Sequence, residues 1–260
     1  SYPKEIVIAG EGSLLTYSGD HKLNILTRGL TTLKYSVGKL LEGQLSHLIT
    51  QTKGDISSPT FSNWKFNKEN IAEFSEEIVE VREINPKKSN YSSLDLTQFL
   101  PQRDGRFGLF FVDVRAWDQS KKETLYGASD SRLILVTDLG IIVKNNANHT
   151  HDLFVQSIQT GDPVPGATVE LLGRNGIALY TRKTEDQGHV EFPSTKDFKK
   201  EKEPVVYVVR TNEDISFIPF EKRSRQINLS KFDIGGLTPE PNKKNALNAY
   251  LFSDRGVYRP

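Results

Sequence analysis

The sequence predicts an all-β protein of two tandem antiparallel β-sandwiches, with one helix inserted in the first. Three observations carry that prediction. The apolar runs are short, rich in Val, Ile, Phe and Tyr, and bounded by Gly, Asp, Asn or Pro, as strands separated by frequent turns are. Turn chemistry is explicit: Asp104-Gly105 and Asn175-Gly176 can supply the positive φ angles of tight hairpins. The chain has 260 residues, comfortable for two domains and long for one ordinary small one.

Taken in order, strands are expected at 5–9, 22–27, 107–117, 132–137, 153–158, 167–172 and 205–210. A further strand with one charged face is expected at 76–84, where apolar and acidic residues partly alternate. Between 161 and 166 lies a loop, because Pro163 and Pro165 cannot donate to a central ladder. Residues 51–63, 85–90 and 119–123 are polar connections. One stretch breaks the strand pattern. Val37, Leu40, Leu41, Leu45, Leu48 and Ile49 fall on one stripe of a helix near 38–51. Gly38 and Gly43 would weaken that helix by about 1 kcal/mol each, so docking on a sheet must stabilise it.

Asp138-Leu139-Gly140 separates two strand-like runs, which places a domain boundary there: 1–139 for the first sandwich, 140–236 for the second. From 221 to 244 the sequence turns polar, with Gly235-Gly236, Pro239 and Pro241. Residues 237–260 then read as a linker and the first strand, 247–252, of a third, truncated domain. With Ser1 at its start and no Met, the chain is expected to be an excised piece of a longer protein.

Composition excludes several functions. Lys plus Arg number 34 against 33 Asp plus Glu, so no bulk charge selects nucleic acid or an anionic membrane. The split is even along the chain, without a basic arm or acidic tail. No apolar window approaches the length of a spanning helix. There is no Cys, hence no disulfide, thiolate nucleophile, thiolate metal ligand or internal thioester in these residues.

Each motif with a chemical reading has a blander competitor that fits better. Gly10 and Gly12 follow a strand, but the third glycine of a dinucleotide turn is Leu15 and no helix follows to hold a phosphate. Gly127-Ala128-Ser129-Asp130-Ser131 lacks the final glycine and strand-to-helix context of a nucleophile elbow. Of the five histidines, His21 and His47 stand alone and His189 follows Gly188 in a turn. His149 and His151, beside Asp152, could share one strand face and a metal; a solvated hairpin among Asn145, Asn146, Asn148 and Thr150 explains them better. Trp64 and Trp117 read as anchors, and 198–203 as a solvated mixed-charge loop. Sequons begin at Asn90, Asn148 and Asn228 but are common by chance. The sequence therefore assigns no catalytic, cofactor-binding or metal-binding residue, and no cofactor.

The closing segment from Leu247 to Pro260, with its Tyr258-Arg259-Pro260 ending, resembles the entry strand of a macroglobulin domain in the bacterial alpha-2-macroglobulin family. Segments 106–118 and 131–143, and Asp152 to Ser157 running into 161–169, resemble the same proteins. So do Gly166-Ala167-Thr168-Val169-Glu170-Leu171 and Thr184-Glu185-Asp186-Gln187-Gly188-His189-Val190-Glu191-Phe192. The resemblance implies immunoglobulin-like, macroglobulin-type sandwiches acting as framework domains of a broad-spectrum peptidase inhibitor, not an enzyme. In that family a bait segment is cut, the molecule collapses, and a Cys-containing thioester captures the protease in many members. Without Cys, no such residue carries over to this chain. The implied partners are other domains of the parent and, through it, target proteases. The implied location is the periplasm, the parent anchored by lipid to the inner membrane. The competing reading is a tandem immunoglobulin-like segment of a bacterial surface adhesin or glycan-binding protein.

Overall fold

The computed structural model describes residues 3–9, 14–15, 19–52, 68–81, 88–99 and 108–220. The Asp104-Gly105 turn, Trp64, Asn228, Gly10, Gly12 and the expected strand at 247–252 lie outside the described residues. The first part of the chain contributes β1 (Glu5–Ile8), β2 (Leu14–Leu15), β3 (Lys22–Arg28) and β4 (Thr32–Leu40). After a short 3-10 turn comes helix α1 (Leu45–Thr52), then β5 (Ala72–Glu80), β6 (Asn90–Asp95), β7 (Gly108–Asp118) and β8 (Glu123–Val136). Next come β9 (Leu139–Asn145), β10 (His151–Ser157), β11 (Thr168–Gly173), β12 (Ala178–Lys183), β13 (His189–Phe192), β14 (Pro204–Arg210) and β15 (Ile215–Pro219).

These strands form four sheets, ordered β1-β3-β6, β2-β8-β7-β4-β5, β12-β11-β14-β15 and β13-β10-β9. Pairing is antiparallel except between β2 and β8, where Leu14 aligns with Leu135 in parallel. The first sandwich closes the three-stranded sheet on the five-stranded one. Ile8, Ile25 and Leu94 from the former meet Val37, Phe110, Val112, Val114 and Ile134 from the latter. The second closes β9, β10 and β13 on the four-stranded sheet through Leu153, Val155 and Phe192 against Val169, Leu171, Tyr207 and Val209.

The residue alternation shows how the two sandwiches are joined. A sheet with one wet face alternates apolar and polar; one buried on both faces reads as a continuous apolar run. β7 is such a run. Phe110, Val112, Val114 and Ala116 face the first core, whereas Leu109 and Phe111 face the other way. β14 behaves alike, with Tyr207 and Val209 in the second core and Val206 and Val208 on its opposite face. The outward faces of the five- and four-stranded sheets meet there, forming a third apolar layer with Leu133, Leu172, Ile215 and Phe217.

The helix exists, but it starts at Leu45 and makes about two turns. Val37 and Leu40, which the 3.6-residue spacing placed on it, belong to β4. Leu45, Leu48 and Ile49 do form its buried stripe, packed into the third layer. Leu33, Tyr35 and Val37 face the first core and alternate with Lys34 and Ser36, so the period-2 signal of this strand lies mostly before Val37, where the helical spacing begins. The charged strand expected at 76–84 runs instead as β5 from Ala72. Asn175-Gly176 makes the expected β11–β12 turn with Gly176 at φ +81°. The loop at 161–166 lies against β10: Ser157 N–H donates to Asp162 O and Val164 N–H to Val155 O, so neither proline occupies a donor position.

Candidate functional site

The junction between the sandwiches is the most elaborated polar site in the described residues. β8 ends at Val136 and β9 begins at Leu139, leaving Thr137 and Asp138 to cross from one sandwich to the other. Asp214, in the β14–β15 hairpin, is 8% exposed and meets this crossing directly. The buried Thr137 hydroxyl donates to one of its carboxylate oxygens (2.8 Å), and the Asp138 N–H to the other (2.7 Å). Thr137 Oγ1 in turn accepts the Leu139 N–H at 3.0 Å. The hairpin is held by its own Thr211, whose hydroxyl oxygen accepts the Asp214 N–H at 3.0 Å.

On the far side of the crossing, Asp138 fixes the turn after β10. Its carboxylate accepts the Ser157 hydroxyl (2.7 Å) and the Gln159 N–H (2.9 Å), and its carbonyl accepts the Ile158 N–H (2.7 Å). The Asp214 carboxylate therefore supplies acceptors to the buried Thr137 hydroxyl and the half-buried Asp138 N–H, and the Asp138 carboxylate fastens the turn after β10. Burial pushes the Asp214 carboxyl above its ordinary value of 3.8 and Asp138's charge adds to this, whereas the Asp138 N–H, the Thr137 hydroxyl and the Ile215 N–H pull the other way. The arrangement clamps the crossing; it contains no nucleophile, general base or ligand set.

A second polar cluster lies on the β9–β10 hairpin. His149 occupies the turn with a left-handed backbone, φ +68°, and is exposed. His151 opens β10, is buried, and its Nδ1 bonds Asn145 Oδ1 at 2.9 Å. The two are thus not alternate residues of one strand, because the turn takes His149 out of the ladder. Among the described residues no group of three His, Asp or Glu is arranged to hold a metal ion. Asp152, on the opposite face of β10, accepts from Asn146 Nδ2 (2.7 Å) and pairs with His189 Nε2 (2.8 Å). Those two contacts, the Asn146 bond first, hold its carboxyl below the usual value. His189, assigned to a turn by sequence, opens β13 and stacks at 4.9 Å from Phe154. The Asp152–His189 contact spans two strands 37 residues apart, so local spacing carried no signal for it.

The remaining sequence motifs are structural. Gly127 to Ser131 lie within β8, where Asp130 Oδ2 accepts the Ile8 N–H at 2.7 Å and ties β1 to the larger sheet. Trp117 Nε1 donates to Gln119, and Lys34 Nζ sits 5.4 Å from the Trp117 ring. His47 Nδ1 pairs with Gln44 beside α1 at 2.8 Å. Lys200 to Lys202 form an exposed 3-10 turn, as a solvated loop requires. No helix of the described residues is long and apolar enough to cross a membrane.

This architecture has close counterparts. Residues 136–239 match the family model described as the bacterial alpha-2-macroglobulin MG3 domain. An alpha-2-macroglobulin of Pasteurella multocida is 37% identical over 100% of this chain, and one of Rickettsia conorii 38% identical over 99%. The chain belongs to the bacterial alpha-2-macroglobulin family. It spans 14% of the length of either relative. In fold it is similar to the crystal structure of native Escherichia coli alpha-2-macroglobulin spanning domains NIE-MG1, with a TM-score of 0.61, 19% identity, and coverage of 84% of this chain and 97% of that one. A Salmonella alpha-2-macroglobulin mutant matches with a TM-score of 0.57 and 17% identity over 90% of this chain and 13% of that one. The macroglobulin-type sandwiches expected from the sequence are therefore the fold of this family segment.

Proposed function

We propose that this chain is a framework segment of a peptidase-trapping alpha-2-macroglobulin, transmitting movement within its parent and performing no chemistry itself. The shared apolar layer between the sandwiches carries this reading. Leu109, Phe111, Leu133, Val206, Val208 and Phe217 are each at most 8% exposed, and each burial contributes about 1.5–3 kcal/mol. Two sandwiches joined by such a layer and by the Asp214 clamp resist bending at Thr137-Asp138. They suit a lever or strut in a protein whose other parts rearrange. The segment comprises two framework domains divided near Leu139, followed by the start of a third within 237–260. Its immediate partners are neighbouring domains of the parent, and proteases meet it only through that parent. The parent resides in the periplasm with a lipid anchor in the inner membrane.

The trap reading predicts a size-dependent inhibition. Trypsin mixed with the parent protein should lose activity on casein while keeping activity on a small chromogenic peptide, because a caged protease excludes large substrates. The isolated 260-residue chain should change neither rate. Equal loss on both substrates, or inhibition by the isolated chain, would reject the framework role. Osmotic-shock fractionation tests the location: the parent should stay with the inner-membrane fraction, and recovery in the cytosol would refute it.

A further inference from the structure

The same hairpin that places His149 and His151 forms one wall of an open cleft of about 360 Å³ at the end of the second sandwich. The opposite wall is the connection between β13 and β14, with Ser194, Thr195, Lys196 and Phe198; Phe220 closes one side. The cleft falls within the volume range of small-ligand sites. We propose that it binds a neutral saccharide, a function separate from the framework role.

The chemistry of the walls selects this ligand class. The rings of Phe198 and Phe220 are only partly buried, giving flat apolar surface of the kind that packs on sugar ring faces. Phe220 stands 5.3 Å from His151 and 5.5 Å from Tyr207, and Phe198 stands edge-on 5.5 Å from Tyr180, so both rings are backed by other rings. Between them lie amides, hydroxyls and imidazoles, which supply donors and acceptors in mixed order. Asn145 Oδ1 bonds His151 Nδ1, and Asn146 Nδ2 donates to Thr150 Oγ1 and Asp152 Oδ2, which fixes both side chains at the cleft wall.

Charge argues against the other classes. Glu203 at the rim is paired with Arg174, so the acid contributes little net field. Lys196 is then the one lysine on the lining, too few cations to hold a phosphate or an acidic peptide. An apolar ligand would desolvate the polar groups of Asn145, Asn146, Thr195 and His149 without offering them a hydrogen bond. A polyhydroxylated neutral ring satisfies both the polar groups and the aromatic faces.

Saturation-transfer NMR on the intact 260-residue chain tests this, with chitotriose and maltotriose as probes. Saturation should pass to ring protons of at least one, and the His149 and His151 imidazole signals should shift in a saturable way. Phe198→Ala should weaken that binding about tenfold, as expected on losing a stacking face. Thr195→Arg, which fills the cleft from an accessible loop position, should abolish it while the amide spectrum stays folded. The proposal is overturned by no transfer from either sugar, or by transfer that both variants leave unchanged. It is also overturned if inorganic phosphate shifts the two histidines while the sugars do not. None of these outcomes bears on the casein assay, so the cleft and the framework role stand or fall separately.

Discussion

Asp214 illustrates how much one side chain carries at the crossing. Replacing it with Ala leaves the buried Thr137 hydroxyl and the half-buried Asp138 N–H without their acceptor. Each such loss costs about 1–3 kcal/mol, so Asp214→Ala should lower stability by about 2–4 kcal/mol in urea unfolding. Asp214→Asn keeps one acceptor and should cost less. The pH dependence has a definite sign. Burial raises the folded carboxyl above the ordinary 3.8, so the folded state holds its proton to higher pH than the unfolded chain. The stability this residue contributes is complete below 3.8 and declines as pH rises through the folded value. Urea midpoints of the wild type relative to Asp214→Asn should therefore fall across that window; a rise would refute the burial argument.

Asp152 has the opposite sign. Its carboxyl is held below 3.8, so its contribution is present above that value and lost as pH falls through the folded one. Because the Asn146 amide is the first cause of the depression, Asn146→Ala should move the Asp152 carboxyl titration up toward 3.8. Side-chain carbon NMR reads this directly. An unmoved titration would transfer the effect to His189.

At the level of elements, two glycines separate local from tertiary demands. Gly188 begins the return into β13 with φ +66°, and an added Cβ would stand 2.3 Å from the Val155 carbonyl oxygen. Both the backbone and its neighbour are rigid there, so Gly188→Ala should destabilise by about 2–4 kcal/mol. Gly38 has no unusual φ; its Cβ position is filled by the Phe74 ring at 2.4 Å across β4 and β5. Gly38→Ala should cost about 1–3 kcal/mol, and Phe74→Leu should recover part of it, since a side chain can give way where a carbonyl cannot. Chemical unfolding of the three variants distinguishes the cases. The need at Gly188 was visible as a turn in the sequence. The need at Gly38 was not, and that glycine read instead as a weak point in a helix. The same division runs through the fold. Turns such as Asn175-Gly176 and the apolar strands are written locally. The Asp214 clamp, the Asp152–His189 contact and the cleft are assembled from segments 37 or more residues apart, or from separate loops, where spacing says nothing.

Across the whole molecule, the third apolar layer determines whether the two sandwiches unfold together. Each sandwich has its own core, and a chain joined only by a two-residue crossing would show two transitions. Here Phe111 and Leu133 of the first sandwich are buried against Val206, Val208 and Phe217 of the second, and the described residues fall within one compact unit. Exposing that layer costs more than a marginal domain has in reserve, so the transitions should merge. Trp117, in β7, gives a fluorescence probe of the first sandwich. Amide exchange of Val169 and Val209, in β11 and β14, reports the second. In the wild type the two probes should share one urea midpoint. Val208→Asp, which puts a charge into the layer but not into either sandwich's own core, should split them into two midpoints. Separate midpoints in the wild type would mean that the layer does not couple the sandwiches. The segment would then bend at Thr137-Asp138 rather than act as one strut.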